Sequence, residues 1–305
     1  MPLSVAGIFF RSQSLQKLTG LLPIHHVPDH CCWQASRIEC GLAPRNLPIV
    51  MRLIAIINQK GGSAKTTTAV NLAAALGRQD RRVLVLDLDP QASASSWLGI
   101  KDGGRGLLDV FTDGIALAGL IQPTSADGVE VVPSSTWLVG IEKALAGTVG
   151  AETILRRRLA ALEGPWHYIL IDCPPTLGIL ATNALVAAKE VLVPVECHVM
   201  GLGGLARLLQ AIEIVKERLN PGIKMAGILA CRIDARTRHG QEVVEQLRGR
   251  FGPLVYDTMI RENVRLAECP SFCQSIDRYD PFCAGAVDYR KLASDVIRQE
   301  NGHMA

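Results

Sequence analysis

The chain has 305 residues, of which 48% are hydrophobic, 20% charged and 5% aromatic, with a formal net charge of +3. This is the composition of a soluble globular protein, and it excludes a low-complexity or fibrous chain. The mild positive balance permits contact with nucleic acid or a membrane surface without demanding it, and no uninterrupted apolar run is long enough to span a bilayer.

Residues 1–50 carry five prolines, three histidines and no sustained periodicity. They read as a disordered or mis-assigned N-terminal extension, with Met51 as the natural start of a domain running from 51 to 305. Leu53 to Ile57 form a short β-branched run, the pattern of a buried strand in a parallel sheet. Gly61 and Gly62 end it, and from Thr66 the run TTTAVNLAAALGRQ is helical, with Val70, Leu72, Ala73 and Leu76 available for one buried face. Strand, glycine loop and helix are the setting of a phosphate-binding loop. Backbone N–H groups and the helix N-terminus point at the anion, Lys65 neutralises it, and the Thr66 hydroxyl is placed for Mg²⁺.

The loop reads K-G-G-x-x-K-T-T, with a second lysine, Lys60, ahead of the glycines. This resembles the deviant Walker A loop of the ParA/MinD ATPase family, closest to the Soj-like ParA partition ATPases. The resemblance implies that Lys60, Gly61, Gly62, Ser63, Ala64, Lys65, Thr66 and Thr67 hold ATP. It also implies that Lys60 reaches the nucleotide of a partner subunit. Ala64 stands where most members have glycine, and its Cβ disfavours a positive φ.

Val83 to Leu86 form a second apolar strand, ending in Asp87, Asp89, Pro90 and Gln91. Carboxylates at the carboxyl end of a parallel strand sit where open α/β sheets bind ligands. The D-x-D-P-Q run resembles the family's second motif, which implies that Asp89 activates the attacking water and Asp87 supports the metal shell. Leu107 to Phe111 read as a short helix, Val129 to Val132 as a strand, and Ile141 to Leu162 as largely helical with Arg156, Arg157 and Arg158 outward. Tyr168 to Ile171 form a strand ending in Asp172, the third nucleotide motif, and D-C-P-P matches the family there. By that resemblance Asp172, with Thr66 and Asp87, holds Mg²⁺.

Val191 to Val195 form another strand, followed by a helix over 201–219 and a strand over 223–231. The run C-R-I-D-A-R-T-R resembles the family's base-contact and DNA-contact region, which implies Arg232 on the adenine and Arg236 and Arg238 on DNA phosphates. Leu254 to Ile260 read as a late strand. The run after it resembles the family's adenine cradle, with Arg261 and Asn263 as contacts. Arg290 and Lys291, at the start of an amphipathic last helix, are further DNA candidates. Cys269, Cys273 and Cys283 lack paired metal-ligand spacing and read as small hydrophobes.

The expected fold is a doubly wound, mostly parallel α/β sheet with helices on both faces. The resemblance implies a cytoplasmic, nucleoid-associated ATPase with ATP and Mg²⁺ as cofactors. It would dimerise on ATP, bind double-stranded DNA without sequence preference, and be stimulated by a ParB-like partner. Two alternatives use the same loop. A MinD-like membrane-cycling regulator needs a basic amphipathic C-terminal helix, and VIRQENGHMA is short and polar. A reductase or nucleotide-binding scaffold remains as the other, and a reductase needs cluster cysteines, for which Cys173 and Cys197 are the candidates near the sheet top.

Overall fold

The computed structural model describes residues 51–101, 106–196, 201–234 and 236–302. The expectation for residues 1–50, and Cys197, lie outside these. Eight strands form one sheet among the described residues. They are β1 (Arg52–Ile56), β2 (Val83–Asp87), β3 (Gln122–Pro123), β4 (Val129–Val132), β5 (Tyr168–Asp172), β6 (Glu190–Glu196), β7 (Lys224–Ile233) and β8 (Ile260–Arg261). Their order is β3-β4-β2-β5-β1-β6-β7-β8. Every pairing is parallel except that of β3 with β4. The glycine-loop strand β1 is thus central, between β5 and β6.

The helices are α1 (Lys65–Gly77), α2 (Ser93–Trp97), α3 (Leu107–Thr112), α4 (Ile141–Ala144), α5 (Ile154–Ala160) and α6 (Ile179–Ala187). They continue with α7 (Gly201–Arg218), α8 (Arg238–Phe251), α9 (Val264–Glu268), α10 (Ile276–Tyr279) and α11 (Ala284–Gly302). Alternate β1 residues feed two cores, as the two-residue period of a strand requires. Leu53, Ala55 and Ile57 join the layer that includes residues of α3 to α8. Ile54 and Ile56 join the opposite layer, built on α1, α2, α10 and α11. A strand buried on both faces has no polar side, which is why β1, β2 and β5 read as unbroken apolar runs.

Three expectations are corrected here. Helix α1 is not half-exposed: every residue from Thr68 to Leu76 is buried. The last helix covers its outer side, and Tyr289 Oη meets Thr68 Oγ1 at 3.3 Å. The expected long helix over 141–162 is two short ones, because Gly147 and Gly150 take φ of 79° and 73° and break it between them. The expected strand over 254–260 contracts to the two residues of β8 and one isolated bridge from Val255 to Ile228. Pro253 there lacks an N–H for a ladder. The Tyr256 ring lies over Gly227, where an added Cβ would stand 2.4 Å from Cε2.

One buried ion pair bolts the two ends of the domain together. Arg52 on β1 pairs with Glu190 on β6, both side chains 6% exposed. The same guanidinium donates to the Val296 carbonyl at 2.5 Å and to Gln299 Oε1 at 3.1 Å, both on α11.

Candidate functional site

The glycine loop joins the carboxyl end of β1 to α1. Asn58 anchors its start, donating from Nδ2 to the Pro194 carbonyl at 2.7 Å and accepting Lys60 N–H at 3.1 Å. Gly62 and Ala64 take φ of 75° and 66°, so the chain coils back on itself around Ser63. The sequence warned of this cost at Ala64, and the structure puts the strained conformation there. A Cβ at Gly61 or Gly62 would meet nothing within 4 Å. These glycines therefore leave a cradle open on the solvent side of the loop. No side chain caps α1 and no acidic residue sits in its first turn, so its first N–H groups and its positive dipole end face that cradle.

Lys65 is buried, with 7% of its surface exposed. Burial lowers the pKa of its ammonium, and the charges of Asp172 and Asp89 oppose that shift. Its Nζ donates to the Lys60 carbonyl at 3.4 Å.

Three carboxylates stand at the strand ends beside the loop, and the structure gives them different surroundings. Asp87 and Asp172 are register partners on β2 and β5. Asp87 is fully engaged: Oδ2 accepts Ser95 N–H at 2.8 Å and Ser95 Oγ–H at 2.7 Å, and Oδ1 accepts Asp89 N–H at 3.2 Å. Burial nevertheless pushes its carboxyl up to about 6, with the Ser95 bonds pulling the other way. Asp172 is equally buried, yet neither carboxylate oxygen has a donor at full hydrogen-bond geometry among the described residues, the Thr66 hydroxyl being the side chain that comes near enough to favour its charge. Burial first, and then the charge of Asp87, hold its carboxyl well above the usual range. Asp89 faces the cleft, its Oδ1 accepting Gln91 N–H at 3.0 Å.

Buried carboxylate oxygens without donors call for a cation. Asp172 therefore keeps its oxygens open, while Asp87 spends its own on the β2–α2 turn. Asp87, expected at the metal shell, accepts its hydrogen bonds from Asp89 and from Ser95 on α2. Two serines do this work. Ser95 holds Asp87 and also accepts Ser134 N–H at 3.0 Å, and Ser134 Oγ donates to the Asp89 carbonyl at 2.7 Å. Their only sequence signal is small hydroxyl residues just after two motif strands.

A cleft of about 1000 Å³ opens over the loop. It is lined by Gly61 to Thr67, Asp89, Arg232, Arg261 and Asn263, so the candidate nucleotide contacts come together at one place. Arg261 is held by Asp288, with Nη2 to Oδ1 at 2.7 Å. Asn263 caps α9, its Oδ1 accepting Arg265 N–H at 2.8 Å. Lys60 leans away from the cradle onto Glu196, with Nζ to Oε2 at 2.8 Å.

The four candidate DNA residues are not gathered into one patch. Arg236 lines the same cleft, exposed and paired with Asp234 at 2.9 Å, and Arg238 opens α8 on the surface. Arg290 and Lys291 line a second groove of about 830 Å³ beside α11. Arg290 is tied there to the buried Asp277 at 2.5 Å. Cys173 is fully buried and its thiol is pushed well up by burial, with Sγ donating to the Ile171 carbonyl at 3.6 Å. Such a thiol is unsuited to ligating a cluster at a subunit surface.

An open glycine loop at an uncapped helix N-terminus, beside a buried carboxylate, has the donor set that suits a metal–polyphosphate. Comparison with known proteins agrees. The AAA domain family model matches residues 51–225. The chromosome partitioning protein ParA of Myxococcus xanthus is 41% identical over 273 residues, which cover 89% of this chain and 96% of that protein. The chain belongs to the ParA/Soj family of partitioning ATPases. A second member, the chromosome-partitioning ATPase Soj of Thermus thermophilus, is 46% identical over 247 residues, covering 81% of this chain and 96% of its own. Among solved structures, a cobyrinic acid a,c-diamide synthase from Mycobacterium smegmatis, with bound ATP analog and magnesium, superposes with a TM-score of 0.73 at 33% identity. That match covers 83% of this chain and 96% of the other. Among the described residues, no helix is long and apolar enough to cross a membrane.

Proposed function

We propose that the protein is a slow, Mg²⁺-dependent ATPase that uses ATP as a switch for dimerisation and DNA binding in the partitioning of a DNA cargo. The observation that carries this is Asp172: a fully buried carboxylate with no donor at full hydrogen-bond geometry among the described residues, beside an open glycine loop. Bound Mg²⁺ supplies neutralising charge there, and Thr66 and Asp172 are the residues placed to hold it. Loop amides from Gly61 to Thr67, with Lys65, bind the phosphates. Asp89 orients and activates the attacking water, and Ser134 and Asp87 hold its backbone in place. Arg232, Arg261 and Asn263, which line the same cleft, contact the base on this reading.

On this reading Lys60 acts across the interface of an ATP-bound homodimer. Arg236, Arg238, Arg290 and Lys291 contribute phosphate contacts to duplex DNA, with no base readout. A dimer doubles a footprint that is scattered on one copy, so two weak surfaces become one usable one. A ParB-like partner accelerates hydrolysis and so release, and the protein works in the cytoplasm at the nucleoid. The test is a salt titration of duplex binding with ATP, with ADP and without nucleotide. Binding confined to the ATP state, steeply weakened by salt and similar on unrelated sequences, is expected. Equal binding in all three states, or none at low salt with ATP, overturns the DNA part of the reading.

A further inference from the structure

At the mouth of the nucleotide cleft, two cations share one carboxylate. Glu196 closes β6, and its side chain is only 9% exposed. One oxygen, Oε2, takes Lys60 Nζ at 2.8 Å, and the other, Oε1, takes Arg232 Nη1 at 3.0 Å. The two cations are about half exposed, at 43% and 53%. The anion is therefore the fixed member and the cations are the movable ones. Arg232 follows Cys231, the register partner of Glu196 on β7. Its backbone takes φ 55°, a conformation that disfavours a side-chain-bearing residue. Its second amino group lies 3.8 Å from Glu262.

A buried carboxylate must be paired, and Glu196 has at least two partners, where one would suffice. Lys60 can therefore leave without stranding the charge, because Arg232 stays. An ammonium held on Glu196 of its own subunit cannot also sit on a phosphate bound by another copy. We propose that Glu196 is a latch on Lys60: in the single subunit it holds the lysine in cis, and this sets a threshold against ATP-driven pairing of two copies. The inference rests on the proposed ATP-dependent dimerisation. It assigns Glu196 a positioning role, acting through Lys60, with Arg232 as the counter-ion that makes release tolerable.

The experiment is sedimentation velocity of the full chain over a range of protein concentrations, with Mg²⁺ and a non-hydrolysable ATP analogue. Glu196→Gln keeps the shape and removes the charge. A partly exposed ion pair is worth up to about fivefold in an equilibrium constant, and a symmetric dimer opens two latches. The dimer dissociation constant should then fall by up to about 25-fold. Glu196→Asp, which shortens the reach, should fall between. Lys60→Ala removes the contact across the interface as well as the latch, so the comparison is made at protein concentrations where that variant still pairs, and there Glu196→Gln should change nothing. Unchanged or weaker pairing of Glu196→Gln at a normal melting temperature overturns the latch alone, provided the parent chain dimerises. Tightening that persists without Lys60 also overturns it. If neither chain dimerises with the analogue, the latch and the reading beneath it both fail.

Discussion

Replacing Asp172 by asparagine should make the nucleotide-free protein more stable and its response to Mg²⁺ weaker. The carboxylate is fully buried, faces Asp87 across the β2–β5 ladder, and has no donor at full hydrogen-bond geometry among the described residues. A buried unsatisfied polar group costs about 1–3 kcal/mol, and more when charged. Asparagine has nearly the same shape and no charge, though its amide must still find partners. A gain of about 2 kcal/mol is a fair central value, and in a domain of this size each kcal/mol moves the melting temperature by about 2–4 °C. The nucleotide-free variant should therefore melt about 4–8 °C above the parent. With Mg²⁺ and ATP at 100 times the dissociation constant the parent gains about 2.7 kcal/mol. The variant should lose the part of that gain that depends on the metal. Calorimetric melts in EDTA, in ATP with EDTA and in Mg²⁺–ATP separate these contributions. A variant that melts below the parent in EDTA, or that keeps the full Mg²⁺-dependent rise, would refute the claim that this carboxylate is stored for a cation.

Ala64→Gly should relieve a φ of 66° and raise stability by about 0.5–1 kcal/mol, the left-handed penalty less the extra entropy of glycine; a lower melting temperature would mean the methyl packs better than its backbone suffers. Asp89→Ala should bind ATP with normal affinity, measured by calorimetry, yet show phosphate release reduced by about 100-fold or more. Normal turnover would remove Asp89 from the water-activating role. Glu190→Ala leaves Arg52 buried without its carboxylate and should cost about 3–5 kcal/mol by denaturant unfolding, whereas removing both charges with Arg52→Met and Glu190→Leu should cost far less. Equal losses in the two variants would show that packing, not charge, sets the cost.

Much of the site could be read from the chain because its signals are local. β1, β2 and β5 are short apolar runs buried on both faces, and each delivers its motif within a few residues of its end. The glycine loop, Asp89 and Asp172 were therefore visible without knowing what lies beside them. What could not be read is what depends on distant residues. Glu196 meets Lys60 across 136 positions, and a glutamate at a strand end looks like any other. The difference between Asp87 and Asp172 is set by Ser95, eight positions beyond Asp87. Helix α1 looked one-sided because α11, which covers its outer face, is distant in sequence. The break at Gly147 and Gly150 was in plain view, but glycines inside a helical pattern are often tolerated, so composition alone did not decide it.

The bolt between β1 and α11 has a consequence for how the protein is made. Arg52 is among the first residues of the domain to leave the ribosome, and its carbonyl partner Val296 lies 244 positions later. At about 5–20 residues per second, that interval is on the order of 10–50 s of synthesis. Glu190 supplies the counter-charge after 138 positions, but until α11 emerges the guanidinium lacks its carbonyl partner and α1 has no outer cover. The nascent chain therefore cannot complete its middle layer early, and an interrupted transcript yields a product whose glycine loop rests on an unfinished support. Final assembly of this layer therefore waits for the last helix.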